Sequence, residues 1–263
     1  MANQVYTVKS GDTLGSISTR FGGSPQSIAN ASNRINMNNI QVAQKLFIPL
    51  DTHEGIASII SNQSLDTAKP INVNKEGFVT DLNITKDRAT NLEHGTLKEV
   101  NAIVLHRTAT SGYSKPKGTT GAHFYISKDG EIHQTASLNK KTWHVGKIKS
   151  KCKANNTCSS QEAQKIKLFG WNPAKIYNHE KIKPYVDRYP TNHDSVGIEV
   201  VGGYDAKTKE WEAVTEKQKV SVNKLIDFLE KEYNLRKEDR YNHEDVSYKT
   251  AGEGATVEKI VVD

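Results

Sequence analysis

Long apolar runs are missing from this chain. No stretch approaches the roughly 20 residues that a membrane-spanning helix needs, so membrane insertion is not expected. Cysteine is scarce too, with two residues in 263, which excludes a small fold held together by a disulfide framework. The opening MANQVYTVKSGDT lacks the basic-then-apolar pattern of a secretory signal. The expectation is therefore a chain made in the cytoplasm without a signal peptide, reaching any outer compartment by another route.

What is present is the balance of a globular protein, 35% hydrophobic and 25% charged. The net charge of +6 suits a polyanionic partner such as nucleic acid, an anionic membrane or an acidic cell wall. Lys and Arg are scattered among acids, and no basic tract is interleaved with aromatics, so nucleic acid is not the expected partner. The two cysteines, Cys152 and Cys158 in KCKANNTC, read either as a small disulfide loop formed in an oxidising space or as two unpaired thiols. Their spacing lacks the two-residue gap of a zinc ribbon.

The chain divides into three stretches. In residues 5–50, Val5–Val8 alternates as a strand, Ser10–Thr13 turns with Asp12 as helix cap, and Leu14, Ile17 and Phe21 share a helix face. Gly22 and Gly23 end that helix. Ser24 and Pro25 start a second one burying Ile28 and Ala31, and Gln44–Pro49 closes as a strand. Residues 51–92 are polar and weakly periodic, a linker or irregular extension with one short helix in IASIISNQSL. From residue 93 to 263 the pattern is α/β. Val100–Leu105, His123–Ser127, Glu131–Gln134 and Ser195–Val201 read as strands, and Thr215 with Gln218 forms a capping box for a helix with Val222, Leu225, Ile226 and Leu229 inward. A mixed central β-sheet flanked by helices is expected there.

Within the first stretch, YTVKSGDTLGSISTRFG, SPQSIANASN and QKLFIP resemble the LysM domain, a small βααβ fold. The resemblance implies binding to the N-acetylglucosamine-containing glycan strands of peptidoglycan or chitin through two loops, at Gly11, Asp12, Thr13 and Leu14 and at Ile35 and Asn36.

In the third stretch, His106 ends a buried strand in VLHRTAT and His243 opens the polar run HEDVSYKTAGEG, both where strands hand over to loops. Spacing alone shifts the odds of a metal site only modestly. The ordered set VLHRTAT, GAHFYISKDGEIHQ, WHVGK, HDSVGIEVVG and HEDVSYKTAGEG resembles N-acetylmuramoyl-L-alanine amidases of the second amidase family, which is related to the peptidoglycan recognition proteins.

The resemblance implies a catalytic zinc with His106 and His243 as ligands and one further ligand beyond a Lys. Lys249 stands in the Lys place, but the family's Asp or Cys is replaced by Ala251, which cannot ligate. The nearest capable side chain is Glu253, flanked by Gly252 and Gly254 that let the backbone bend; Asp245 is the fallback. Glu199 resembles the acid that moves protons and Lys249 the group that stabilises the oxyanion. His144 and Trp143 resemble substrate-facing residues. His123, beside an Ala122 where some relatives carry a catalytic Tyr, is given a substrate or supporting part. His53, His94, His133, His179 and His193 read as structural.

The expected activity is zinc-dependent hydrolysis of the bond between N-acetylmuramic acid and L-alanine, acting on glycan strands and stem peptides in a periplasm or cell wall. An antibacterial effector with a cognate immunity protein and a phage-type endolysin both fit. The competing reading is a recognition protein that binds the wall without cutting it.

Overall fold

The computed structural model describes residues 3–9, 11–21, 25–32, 40–49, 72–80 and 82–258. The chain separates into two compact units, Met1–Thr67 and Ala68–Asp263. The expected helix stop at Gly22 and Gly23, the Ser24 cap, the short helix in IASIISNQSL, and Ile35 and Asn36 lie outside the described residues.

In the first unit, β1 (Asn3–Thr7) pairs antiparallel with β2 (Lys45–Pro49), and α1 (Leu14–Phe21) and α2 (Pro25–Ala31) lie between them in sequence. Leu14, Ile17, Ile28, Leu46 and Ile48 are buried together as the core. Two details differ from the sequence reading. Thr13, rather than Asp12, caps α1: its hydroxyl accepts from Ser16 N–H at 3.1 Å. Asp12 instead ties the preceding turn, accepting from Lys9 N–H at 2.8 Å and from the Tyr6 hydroxyl at 2.7 Å. In α2, Ala29 joins Ile28 in the core while Ala31 is half-buried, one turn position away from the inward face.

The second unit is built on a sheet whose described strands are β3 (Ile84–Lys86), β4 (Ala102–Ala109), β5 (Phe124–Ile126), β6 (Ile132–Gln134), β7 (Ser195–Asp205), β8 (Glu210–Trp211) and β9 (Arg240–Asn242). The order is β3-β6-β5-β7-β4-β9, with β8 paired to the far end of β7. All neighbours run parallel except β5 with β6 and β7 with β8. The unit therefore begins before residue 93. β3 sits on the sheet edge and Phe78 is buried, so residues 72–80 and 82–92 belong to this fold rather than to a linker.

Alternation along the strands gives the sheet two unlike faces. Ile103, Leu105, Phe124, Ile126, Ile132, Val196, Ile198 and Val200 pack against Val222, Leu225, Ile226 and Leu229 of a helix following β8, α6 by chain order. Three short helices precede it, α3 (Lys151–Ala154), α4 (Ser160–Leu168) and α5 (Pro173–Glu180), and α6 itself spans Glu216–Tyr233. The intervening strand positions face the other way: His106, Glu199, Tyr125 and His133 occupy one continuous register row across β4, β7, β5 and β6. Cys152 and Cys158 are bonded to each other and close the loop between α3 and α4.

The capping box at the start of α6 is present in both directions. Thr215 Oγ1 accepts from Gln218 N–H and Gln218 Oε1 accepts from Thr215 N–H, each at 3.1 Å. Because Thr215 also donates to Lys128 O at 2.8 Å, it joins the helix start to the β5–β6 hairpin. Thr215→Ala is expected to lower the unfolding free energy by about 1 kcal/mol or somewhat more, read by urea denaturation of the intact chain.

Candidate active site

β4 delivers His106 to the polar face of the sheet, and the short helix α7 (His243–Val246), which follows β9 directly, delivers His243. The two Nδ1 atoms lie 2.7 Å apart. Glu253 Oε1 stands 2.6 Å from His243 Nδ1 and 3.7 Å from His106 Nδ1. These three side chains form a group able to hold a metal ion. Asp245 is not in it; its carboxylate accepts from Asn242 Nδ2 at 3.0 Å.

Glu253 reaches inward because of the backbone around it. Gly252 has φ of +78°, a conformation in which a side chain is strained, and a Cβ on Gly254 would lie 2.6 Å from Asn242 Cα and 2.7 Å from Leu105 O. Glu244, next to His243, binds the far side of this turn, accepting from Gly254 N–H at 2.5 Å and Ala255 N–H at 3.0 Å. Trp211 holds the near side, donating from Nε1 to Ala251 O at 3.0 Å. Neither residue was singled out from sequence; the acid beside a ligand-type histidine in HED was the only available signal for Glu244.

The protonation pattern of the imidazoles follows from their outer partners. His243 Nε2 meets Val145 O at 3.0 Å, and a carbonyl can only accept, so Nε2 carries a hydrogen and in the neutral tautomer Nδ1 holds the lone pair. For His106 the logic runs through two further groups. Ser195 Oγ spends its hydrogen on Thr191 O at 2.7 Å and so accepts from His144 Nε2 at 3.3 Å. His144 Nδ1 is then an acceptor, and it takes the hydrogen of His106 Nε2 at 3.1 Å. Both Nδ1 lone pairs are thereby turned toward Glu253. Burial, helped by neighbouring His243, holds His106 down at about 3, and burial keeps His144 well below the ordinary histidine range. A carboxylate and two imidazoles presenting lone pairs are a donor set suited to a divalent metal ion.

Glu199 is the register partner of His106 on β7. Burial and the nearby Glu253 charge push its carboxyl up to about 8, and its Oε2 is buried with no protein partner. Lys249 is exposed, and its charge acts on both Glu199 and His106.

Other expected site residues sit differently. His144 is buried with both ring nitrogens engaged, so it supports His106 instead of facing substrate. His123 is fully buried: Nε2 donates to Lys140 O at 2.9 Å and Nδ1 accepts from Gly197 N–H at 3.2 Å, tying strands together. Trp143 is 47% exposed, with its ring stacked on His94 at 3.6 Å. In the first unit, Gly11 is exposed, but the Asp12 and Thr13 side chains are used within their own turn, and Leu14 is a core residue whose side chain cannot meet a ligand.

With this geometry in hand, comparison with known proteins identifies the class. Residues 96–255 match the N-acetylmuramoyl-L-alanine amidase family and residues 6–49 match the LysM domain. The first match spans well over half of the chain, which belongs to the N-acetylmuramoyl-L-alanine amidase family; it is a peptidoglycan amidase with an N-terminal LysM domain. Among solved structures it is similar to the amidase LysC from Clostridium intestinale URNW (21% identity, 65% of this chain and 85% of that one, TM-score 0.38). It is also similar to an AmpD derivative (18%, 72% and 99%, 0.43) and to PGRP-SA from Apis mellifera (14%, 60% and 79%, 0.35). No curated protein matches the chain.

Burial holds His123 down at about 4 against an ordinary 6.5. Between those pH values the unfolded chain binds more protons than the native one, so stability is lost as pH falls through the window. One such histidine accounts for about 3 kcal/mol. The urea midpoint measured in chelator is expected to fall from pH 6.5 to pH 4, with a shallower slope in His123→Gln.

Proposed function

We propose that the chain hydrolyses the amide between the lactyl group of N-acetylmuramic acid and L-alanine, with zinc held by His106, His243 and Glu253. The observation that supports the zinc reading is the convergence of three lone-pair donors beside a carboxylate oxygen, Glu199 Oε2, that finds no protein partner. When bound, zinc would polarise the amide carbonyl and acidify a water molecule. Glu199 takes the proton from the attacking water and passes it to the leaving amine; a carboxyl group poised near neutrality can do both. Lys249 places a positive charge where the carbonyl oxygen becomes anionic. Trp143 offers its exposed ring to sugar.

The LysM domain holds the enzyme on insoluble glycan, raising its effective concentration there without altering the chemistry. The net charge of +6 favours an acidic wall. The Cys152–Cys158 bond supports an oxidising place of action such as the periplasm, which fits an antibacterial effector opposed by an immunity protein; an endolysin is the second setting. Among the described residues, no helix is long and apolar enough to cross a membrane.

The test is digestion of purified peptidoglycan with products read by mass spectrometry. Wild type with zinc is expected to release stem peptides beginning with L-alanine, and chelator is expected to stop this. Glu253→Ala should weaken zinc binding by about a hundredfold or more, since a direct ligand is lost. Glu199→Gln should keep the metal and lower the rate by about 10²–10⁴-fold. Wall that is bound by the wild type plus zinc but remains uncut would instead favour a recognition protein.

A further inference from the structure

His144 and Val145 are consecutive residues, and between them they address both imidazole ligands of the proposed zinc site. The His144 ring takes the Nε2 hydrogen of His106, and the Val145 carbonyl takes that of His243. The orientation of this dipeptide therefore sets the direction of two ligand lone pairs at once.

One side chain holds the dipeptide. Asn192 Oδ1 accepts from His144 N–H at 3.0 Å and from Val145 N–H at 2.8 Å. An amide oxygen has two lone pairs, so a single atom can grip two successive backbone donors and fix the peptide plane between them. Asn192 is itself presented by a stiff turn. Asp194 Oδ1 accepts from Thr191 N–H at 2.7 Å and from its hydroxyl at 2.8 Å, and Asp194 is paired with Arg188 at 2.8 Å. The next residue is Ser195, whose hydroxyl and carbonyl face His144 Nε2. The turn Thr191–Ser195 thus grips the dipeptide by its backbone at one point and by the His144 ring at another.

We propose that Asn192 is a positioning residue of the metal centre: by clamping the backbone of His144 and Val145, it aligns His106 and His243 toward the ion. The inference rests on the zinc reading above. Asn192 touches neither the ion nor either ligand, so its effect should appear in metal affinity and coordination geometry before any question of turnover arises. Outer partners of ligating histidines typically contribute 10–100-fold in metal affinity.

The experiment is zinc affinity by competition with a chromogenic chelator, on the full chain, for wild type, Asn192→Ala, Asn192→Gln and Asn192→Asp. Visible absorption of the cobalt-substituted proteins is recorded in parallel. Asn192→Ala is expected to lose about 10–100-fold in zinc affinity with an altered cobalt spectrum. Asn192→Gln, which keeps the amide but displaces its oxygen by one methylene, should also weaken binding and provides the measurement if the alanine variant does not fold. Asn192→Asp retains an oxygen able to accept both N–H groups and should restore affinity to within about threefold of wild type. A purely structural role predicts a lower melting temperature in the metal-free variants with unchanged affinity and spectrum. That outcome overturns the inference while leaving the zinc site standing, whereas wild type that takes up no zinc overturns both.

Discussion

Successive side chains of a strand point to opposite faces, so the register that sets His106 beside Glu199 also fixes what stands behind them. Leu105 and Ile198, one residue earlier on each strand, face the aliphatic surface of α6, as do Ile103, Val196 and Val200. A slip of one residue between β4 and β7 would separate ligand from acid and place charge against Leu225 and Ile226. The burial of one face is therefore what specifies the chemistry of the other. It also explains why the polar row continues past Glu199 to Tyr125 and His133: once the register is set, each parallel or antiparallel neighbour adds one more residue to the same line.

Concentrating polar groups on a buried face is unfavourable unless their hydrogen bonds are complete. The unit meets this by passing hydrogens outward. His243 gives its hydrogen to a backbone carbonyl, and His106 gives its own to His144, which gives to Ser195, which gives to Thr191. Every hydrogen in the chain is used on the side away from Glu253, which leaves only lone pairs on the inner side. A neutral imidazole is far less costly to bury than a charged one, and burial keeps both His106 and His144 neutral. The same desolvation lifts Glu199, so the environment that makes metal ligands of the histidines makes a proton carrier of the acid.

Much of this was legible in the residues. The dense apolar runs gave β4 and β7 and the Thr215–Gln218 spacing gave the start of α6; His243 does stand where β9 ends, but His106, expected at a strand end, lies within β4, which pairs with β7 as far as Ala109. What could not be read was direction in three dimensions. His144 follows an exposed Trp143, and nothing local says that one ring points out while the next points into the sheet. His123 precedes β5 by one residue and is buried by strand pairing with Gly197, a contact between distant segments. β3 has only three residues and one apolar side chain able to pack, too little pattern to separate it from a linker; it is a strand because β6 pairs with it. Asp12 and Thr13 are both good caps in isolation, and Lys9 and Tyr6 decide between them by engaging Asp12 first.

The turn that carries Glu253 joins these themes. The resemblance calls for a carboxylate or thiolate soon after Lys249, and Ala251 occupies that place with a methyl group. A ligand displaced along the chain can serve only if the backbone folds back and the side chain is long enough to close the gap. Glu has one methylene more than Asp, and the conformation at Gly252 together with the close approach of Gly254 to Leu105 and Asn242 supplies the fold. Such a turn would be loose if left to itself, since glycine favours the unfolded chain. Glu244 and Trp211 remove that freedom from opposite sides, one through the backbone amides of Gly254 and Ala255, the other through the carbonyl of Ala251. Because Glu244 is adjacent to His243, the strap that holds the turn is rooted in the same helix as one of the imidazoles. The spacing between Glu253 and His243 is thereby set largely within one short segment, which β4 through Leu105 and β8 through Trp211 hold against the sheet.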